Sequence, residues 1–265
     1  MGISLDFSYR ENLKGNGAHM NWFEVGMMGM LTGVIGTGAG GLLSILVRKP
    51  SARFTGTILA FAAGVMLSII FIELIDEAMI FSGHWVAIGG LSLGIAIFYL
   101  LDHYLPHQHV VTEETVHSGG YLKKGTLLAI GIGLHNFPEG LAIGTGYVGS
   151  AELGLSLAIL IGLHNIPEGM AVAAPLKQGG YSFLRVLAVT ALAGVPMGIG
   201  ALIGAAIGSI SSLVLGLSLG FAAGAMLYIV CDELIPDAYE SAGAHLSILG
   251  ITSGTILGIL FTAWF

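Results

Sequence analysis

His135-Asn136-Phe137-Pro138-Glu139-Gly140 returns 29 residues later as His164-Asn165-Ile166-Pro167-Glu168-Gly169. Residues four apart share one face of a helix, so each copy stacks an imidazole beneath a carboxylate. Neutral imidazole nitrogen with carboxylate oxygen is a donor set suited to zinc and other first-row divalent cations. The spacing therefore predicts a metal site built from His135, Glu139, His164 and Glu168, with Asn136 and Asn165 about 100° round the helix as further oxygen donors. Proline at the fourth position leaves the carbonyls of Leu134 and Leu163 without their helical partners, which favours a kinked segment lining a cavity. A single buried His–Glu pair is more often a structural hydrogen bond. Two copies with Asn, Pro and Gly at the same offsets favour metal.

Both copies lie within apolar runs long enough to cross a bilayer. A charged side chain at that depth costs about 2.5–3.5 kcal/mol on insertion scales if it faces lipid, so these groups are expected to face a protein interior. The whole chain agrees: 265 residues, 55% hydrophobic and only 9% charged, with mean hydropathy +0.88. A soluble domain carries about 25% charged residues. The chain therefore reads as an all-α, polytopic membrane protein of one domain. Net charge of −7 argues against a nucleic-acid partner. The single cysteine, Cys231, excludes an intrachain disulfide and reads as a small buried residue.

Eight apolar runs mark membrane helices, at approximately 22–47, 54–78, 84–105, 125–147, 152–174, 184–208, 212–235 and 244–264. Residues 1–21 form a polar tail unlike a signal peptide, 22–265 a single eight-helix transmembrane domain, and 106–124 a histidine-containing loop. Arg48, Lys49, Arg53, Lys123, Lys124, Lys177 and Arg185 fall on one side, against Arg10 and Lys14 on the other. The positive-inside rule then places both termini outside the cell membrane.

A second repeat joins spans 2 and 7. Phe61-Ala62-Ala63-Gly64-Val65-Met66-Leu67 matches Phe221-Ala222-Ala223-Gly224-Ala225-Met226-Leu227, and Glu73-Leu74-Ile75 matches Glu233-Leu234-Ile235, all at offset 160. Small residues alone could reflect packing; a carboxylate at both places does not. Because spans 2 and 7 run oppositely, the expectation is an inverted-topology repeat around central spans 4 and 5, a plan that supports alternating access. Glu73, Asp76 and Glu77 near one end of span 2, and Asp232, Glu233 and Asp237 near the opposite face on span 7, are candidate ion-path residues that would concentrate cations. His103, His107, His109 and His117 form a possible second metal site in the inner loop.

With these motifs in place, the sequence resembles the ZIP family (Zrt- and Irt-like proteins), in particular its bacterial zinc-uptake branch, over nearly the whole chain. The resemblance implies import of Zn²⁺ into the cytoplasm, with Fe²⁺, Mn²⁺ or Cd²⁺ tolerated, by an elevator-like movement within a homodimer. It assigns the transport site to His135, Asn136, Glu139, His164, Asn165 and Glu168. Many relatives carry a glutamate before a proline in span 6. Here that stretch reads Ala193-Gly194-Val195-Pro196, which favours one ion over two. A membrane-embedded metal-dependent hydrolase is the first alternative, but no H-E-x-x-H is present. A passive divalent-cation channel is the second. No G-x-x-x-x-G-K-[ST] occurs, which argues against ATP-driven pumping.

Overall fold

The computed structural model describes residues 21–46, 51–104 and 118–263. Among these residues there is no strand, and eight helices are long and apolar enough to cross a membrane. They are α1 (Trp22–Leu46), α2 (Ala52–Ser82), α3 (His84–Tyr104), α4 (Ser118–Gly149), α5 (Ala151–Gln178), α6 (Phe183–Gly208), α7 (Ser212–Ala242) and α8 (Ala244–Thr262). Their starts follow ordinary capping chemistry. Asn21 and Glu24 exchange side-chain to backbone hydrogen bonds at the head of α1, a reciprocal capping box. Ser51, Ser150 and Ser211 accept from the amides of Phe54, Leu153 and Val214.

Four helices clearly outrun their hydropathy runs, α5 by ending at Gln178 and not near 174. α4 begins at Ser118 and not near 125. α2 continues past 78 to Ser82, and α7 past 235 to Ala242. The last two extensions share a cause. Each helix widens into a π turn, Ile69–Leu74 in α2 and Val230–Leu234 in α7, and resumes as α-helix beyond it. Both finally stop at a glycine with positive φ, Gly83 at 81° and Gly243 at 79°, a conformation that a Cβ would oppose. Polar residues follow each π turn, so hydropathy falls while the helix does not.

The helices assort into two sets of four. α1, α4, α5 and α6 pack on one another, and α2, α3, α7 and α8 form the other set, with α2 against α8 and α3 against α7. The sets meet where α2 touches α5 and α7 touches α4. Met66, Ile69 and Ile70 of α2, Met226 of α7, and Leu157 and Ile161 of α5 are wholly buried in that shared core. α3 and α8 are the least buried helices. They present large apolar side chains such as Trp85, Leu100, Leu249 and Leu260 outward. Such a surface would aggregate in water and suits hydrocarbon.

Within the first set, glycine governs how closely backbones approach. A Cβ at Gly140 would strike the Met197 carbonyl of α6, and one at Gly169 the Thr37 carbonyl of α1. The last residue of each His-Asn-x-Pro-Glu-Gly copy thus clamps its helix to a neighbour, directly beside the glutamate that the site needs.

Candidate metal site in the membrane interior

His164 and Glu168 come from α5 and Glu139 from α4, and one ligand atom from each lies within 4.8 Å of the others. All three are buried. His164 Nε2 is 2.9 Å from Glu139 Oε1, and its Nδ1 is 3.3 Å from the Leu160 carbonyl. That second contact requires Nδ1 to carry the proton, so in neutral imidazole the Nε2 lone pair points at the carboxylate cluster.

Three carboxylate oxygens there have no hydrogen-bond partner: Glu139 Oε2, Glu168 Oε1 and Glu168 Oε2. Native proteins rarely leave buried acceptors unsatisfied, and each costs about 1–3 kcal/mol, more when charged. Two unit negative charges within 4.8 Å also repel by at least about 3 kcal/mol at an effective dielectric of ~20. A divalent cation removes both penalties at once by accepting the lone pairs and neutralising the charge.

The asparagines are tied into the scaffold by a break in α6. Its first segment ends at Ala193, and the second starts at Val195 with Pro196 in its first turn. At the break, the Met197 amide donates to the Gly194 carbonyl and so releases the carbonyl of Ala193, its usual partner four residues back. Asn136 Nδ2 donates to Ala193 O at 2.9 Å. A carbonyl only accepts, so the Asn136 amide is oriented unambiguously. Its Oδ1 then accepts from Asn165 Nδ2 at 2.9 Å, which leaves Asn165 Oδ1 as a further buried acceptor without a partner. Ahead of the span 6 proline this chain thus supplies a main-chain carbonyl, and it holds the Asn136 amide. Asn136→Ala is expected to lower the thermal stability of the purified protein by about 1–3 kcal/mol through the freed Ala193 carbonyl. An unchanged unfolding midpoint in detergent would show that the relay is dispensable.

His135 does not join the cluster that Glu139, His164 and Glu168 form. Its Nε2 lies 3.0 Å from Glu233 Oε2 of α7. The sequence places Glu233 near a membrane face. The π turn and the eight residues of α7 that follow it put Ala242 nine positions beyond Glu233, so Glu233 sits deep enough to reach the centre. Its repeat mate Glu73 also lies nine positions before the end of its helix. Glu73 accepts from Ser156 Oγ of α5 at 3.2 Å. Neither Ser156 nor the Ala193 carbonyl is signalled by composition; offset 160 is the signal that ties Glu233 to Glu73.

Asp76 is exposed, and Glu77, Asp232 and Asp237 are half-buried, all on α2 or α7 and outside the cluster. His103 is exposed in the last turn of α3. His107, His109 and His117 lie outside the described residues, as do residues 1–20 of the tail. Cys231, expected to be buried, is exposed on the π turn of α7.

Known proteins are similar to this chain over most of its length. The family profile described as ZIP zinc transporter matches residues 107–262, which include both His-Asn-x-Pro-Glu-Gly copies and the α7 repeat. The zinc transporter ZupT of Akkermansia muciniphila is 36% identical over 245 residues, covering 84% of this chain and 91% of that one. Zinc transporters ZupT of Corynebacterium aurimucosum (33% identical; 83% and 89% covered) and Streptococcus mutans (32%; 86% and 93%) are similar over the same extent. A buried His/Glu cluster among eight membrane-spanning helices, with these relatives, makes the chain a transporter and not an enzyme: it belongs to the ZIP zinc-transporter family.

Proposed function

We propose that this chain carries Zn²⁺ into the cytoplasm by alternating access, with Glu139, His164 and Glu168 as the central ligands. Asn165 Oδ1 and His135 are the adjoining donors. The observation that carries this reading is the group of three unpartnered, wholly buried carboxylate oxygens beside a histidine nitrogen, together with the ZupT names of the relatives. No thiolate joins the donors, so the ion is held without the tightness of a structural thiolate site and can leave. Fe²⁺, Mn²⁺ and Cd²⁺ share enough ligand preference to be carried as well. The orientation with both termini extracytoplasmic follows from the lysine and arginine count, and assembly as a homodimer from the family resemblance.

Purified protein in zinc-free proteoliposomes supplied with external zinc tests this. Saturable uptake abolished by Glu168→Ala supports the site; uptake that stays linear in zinc concentration would favour the channel reading. Protons compete with Zn²⁺ for the same lone pairs, so affinity must fall on acidification. At an ordinary imidazole, lowering pH from about 7.5 to about 5.5 cuts the deprotonated fraction about tenfold. The KM for zinc is expected to rise by at least that factor. A flat pH profile would remove histidine from the ligands.

A further inference from the structure

The central helices and the helices that flank them repeat at different offsets, 29 for α4 and α5 and 160 for α2 and α7. Exchanging mates maps the contact Glu233–His135 onto Glu73–His164. That second contact is not made here: Glu73 rests on Ser156, eight positions before His164 on the same helix. Eight residues of α-helix span about 12 Å. The two flanking carboxylates are thus out of register with the centre by that distance, one engaged with a site histidine and the other two turns short of it.

Both carboxylates come off a π turn, a feature frequent at functional sites. Both belong to the set formed by α2, α3, α7 and α8, and they face the other set at two different places, where α2 meets α5 and α7 meets α4. A cavity of about 180 Å³ opens beside His135 and Glu233, lined also by Leu134, Phe137, Tyr228 and Phe221. The cavity thus reaches the His135–Glu233 contact from the side of α3 and α7.

We propose that Glu73 is a positioning and relay residue for the transported cation, its carboxylate lying against His164 when the site opens to the other membrane face, as Glu233 lies against His135 here. This rests on the transport reading above. The set α1, α4, α5 and α6 then slides about 12 Å along α2 and α7. Glu73 leaves Ser156 for His164, while Glu233 leaves His135 and faces position 127. That position is the 29-residue mate of Ser156 and is occupied by Leu127. Leucine cannot donate to a carboxylate, so the parked state of Glu233 lacks the hydroxyl that Glu73 has. The exchange is accordingly biased toward the state with Glu233 on His135.

The test uses the full chain in proteoliposomes with Cys231→Ser, so that introduced thiols are the only ones. Glu73→Cys is combined with Ser156→Cys in one variant and with His164→Cys in another, and bridging by Hg²⁺ is read from intact mass and thiol protection. The 73/156 pair is expected to bridge, which certifies a folded chain, and the 73/164 pair to bridge as well. Bridging at 73/156 alone overturns the proposal. Independently, Glu73→Gln is expected to lower zinc uptake by about tenfold or more while zinc affinity in detergent stays at the parent value. Parent-like uptake, or loss of affinity together with uptake, overturns the relay role. Absence of zinc uptake by the Cys231→Ser parent would instead remove the transport reading, and the bridging result would still report whether the helices slide.

Discussion

Glu139→Ala is expected to abolish zinc uptake while the protein remains folded, and to remove the stabilisation that zinc confers. Glu139 reaches across from α4 to contact His164 of α5 through one oxygen, and its other oxygen is unpartnered. It is therefore the residue that makes one site out of two helices. Without it, the remaining donors of the buried cluster are His164 and Glu168 on a single face. In the absence of metal the substitution deletes one of two mutually repelling buried carboxylates, so the apo protein should be no less stable than the parent, despite the cavity left behind. Zinc at about a hundred times its dissociation constant should stabilise the parent by about 2.7 kcal/mol and the variant by almost nothing. Thermal unfolding in detergent with and without zinc, beside uptake in proteoliposomes, reads both effects. A variant that still gains stability from zinc would place the ion elsewhere. A variant that unfolds without metal would mean that Glu139 is structural.

Much of this arrangement is legible in the sequence because membranes simplify the problem. Hydrocarbon leaves no partners for backbone polar groups, so long apolar runs must be helices, and eight runs become eight helices. The histidine–glutamate spacing is equally direct: helix geometry alone puts Glu168 above His164. What composition cannot show is where a helix continues through polar residues. The span 2 run already takes in Asp76 and Glu77, but Asp237 and Glu240 lie beyond the end of the span 7 run, yet the backbone bonds go on to Ala242. Cutting span 7 at 235 places Glu233 at a membrane face, whereas the full helix brings it to His135. The Ala193 carbonyl is hidden for a related reason. Its availability depends on the hydrogen-bond shift at Gly194 and Pro196, a backbone event whose consequence falls on Asn136, 57 positions away.

Gly169→Ala, one methyl group, is expected to cost as much as a large core substitution and to impair transport severely. In most helices this change adds about 1 kcal/mol of stability, since alanine favours helix and glycine does not. Here the new Cβ would overlap the Thr37 carbonyl, with its neighbouring backbone atoms also inside contact distance. Backbone, unlike a side-chain end, cannot rotate away, so α1 and α5 must separate. Overpacking of this kind costs about 1–3 kcal/mol, and separation also carries Glu168, the preceding residue, out of the cluster. Metal sites tolerate little displacement, as ligand distances are fixed to within about 0.2 Å. The variant should therefore lose zinc affinity as well as stability. Gly131→Ala is the matched comparison, because a Cβ there meets nothing within 4 Å. It should leave uptake unchanged and raise the unfolding midpoint slightly. Equal behaviour of the two variants would show that close approach at Gly169 does not position the site. Opposite signs would show that the final glycine of the motif holds the carboxylate in place by letting α1 come close.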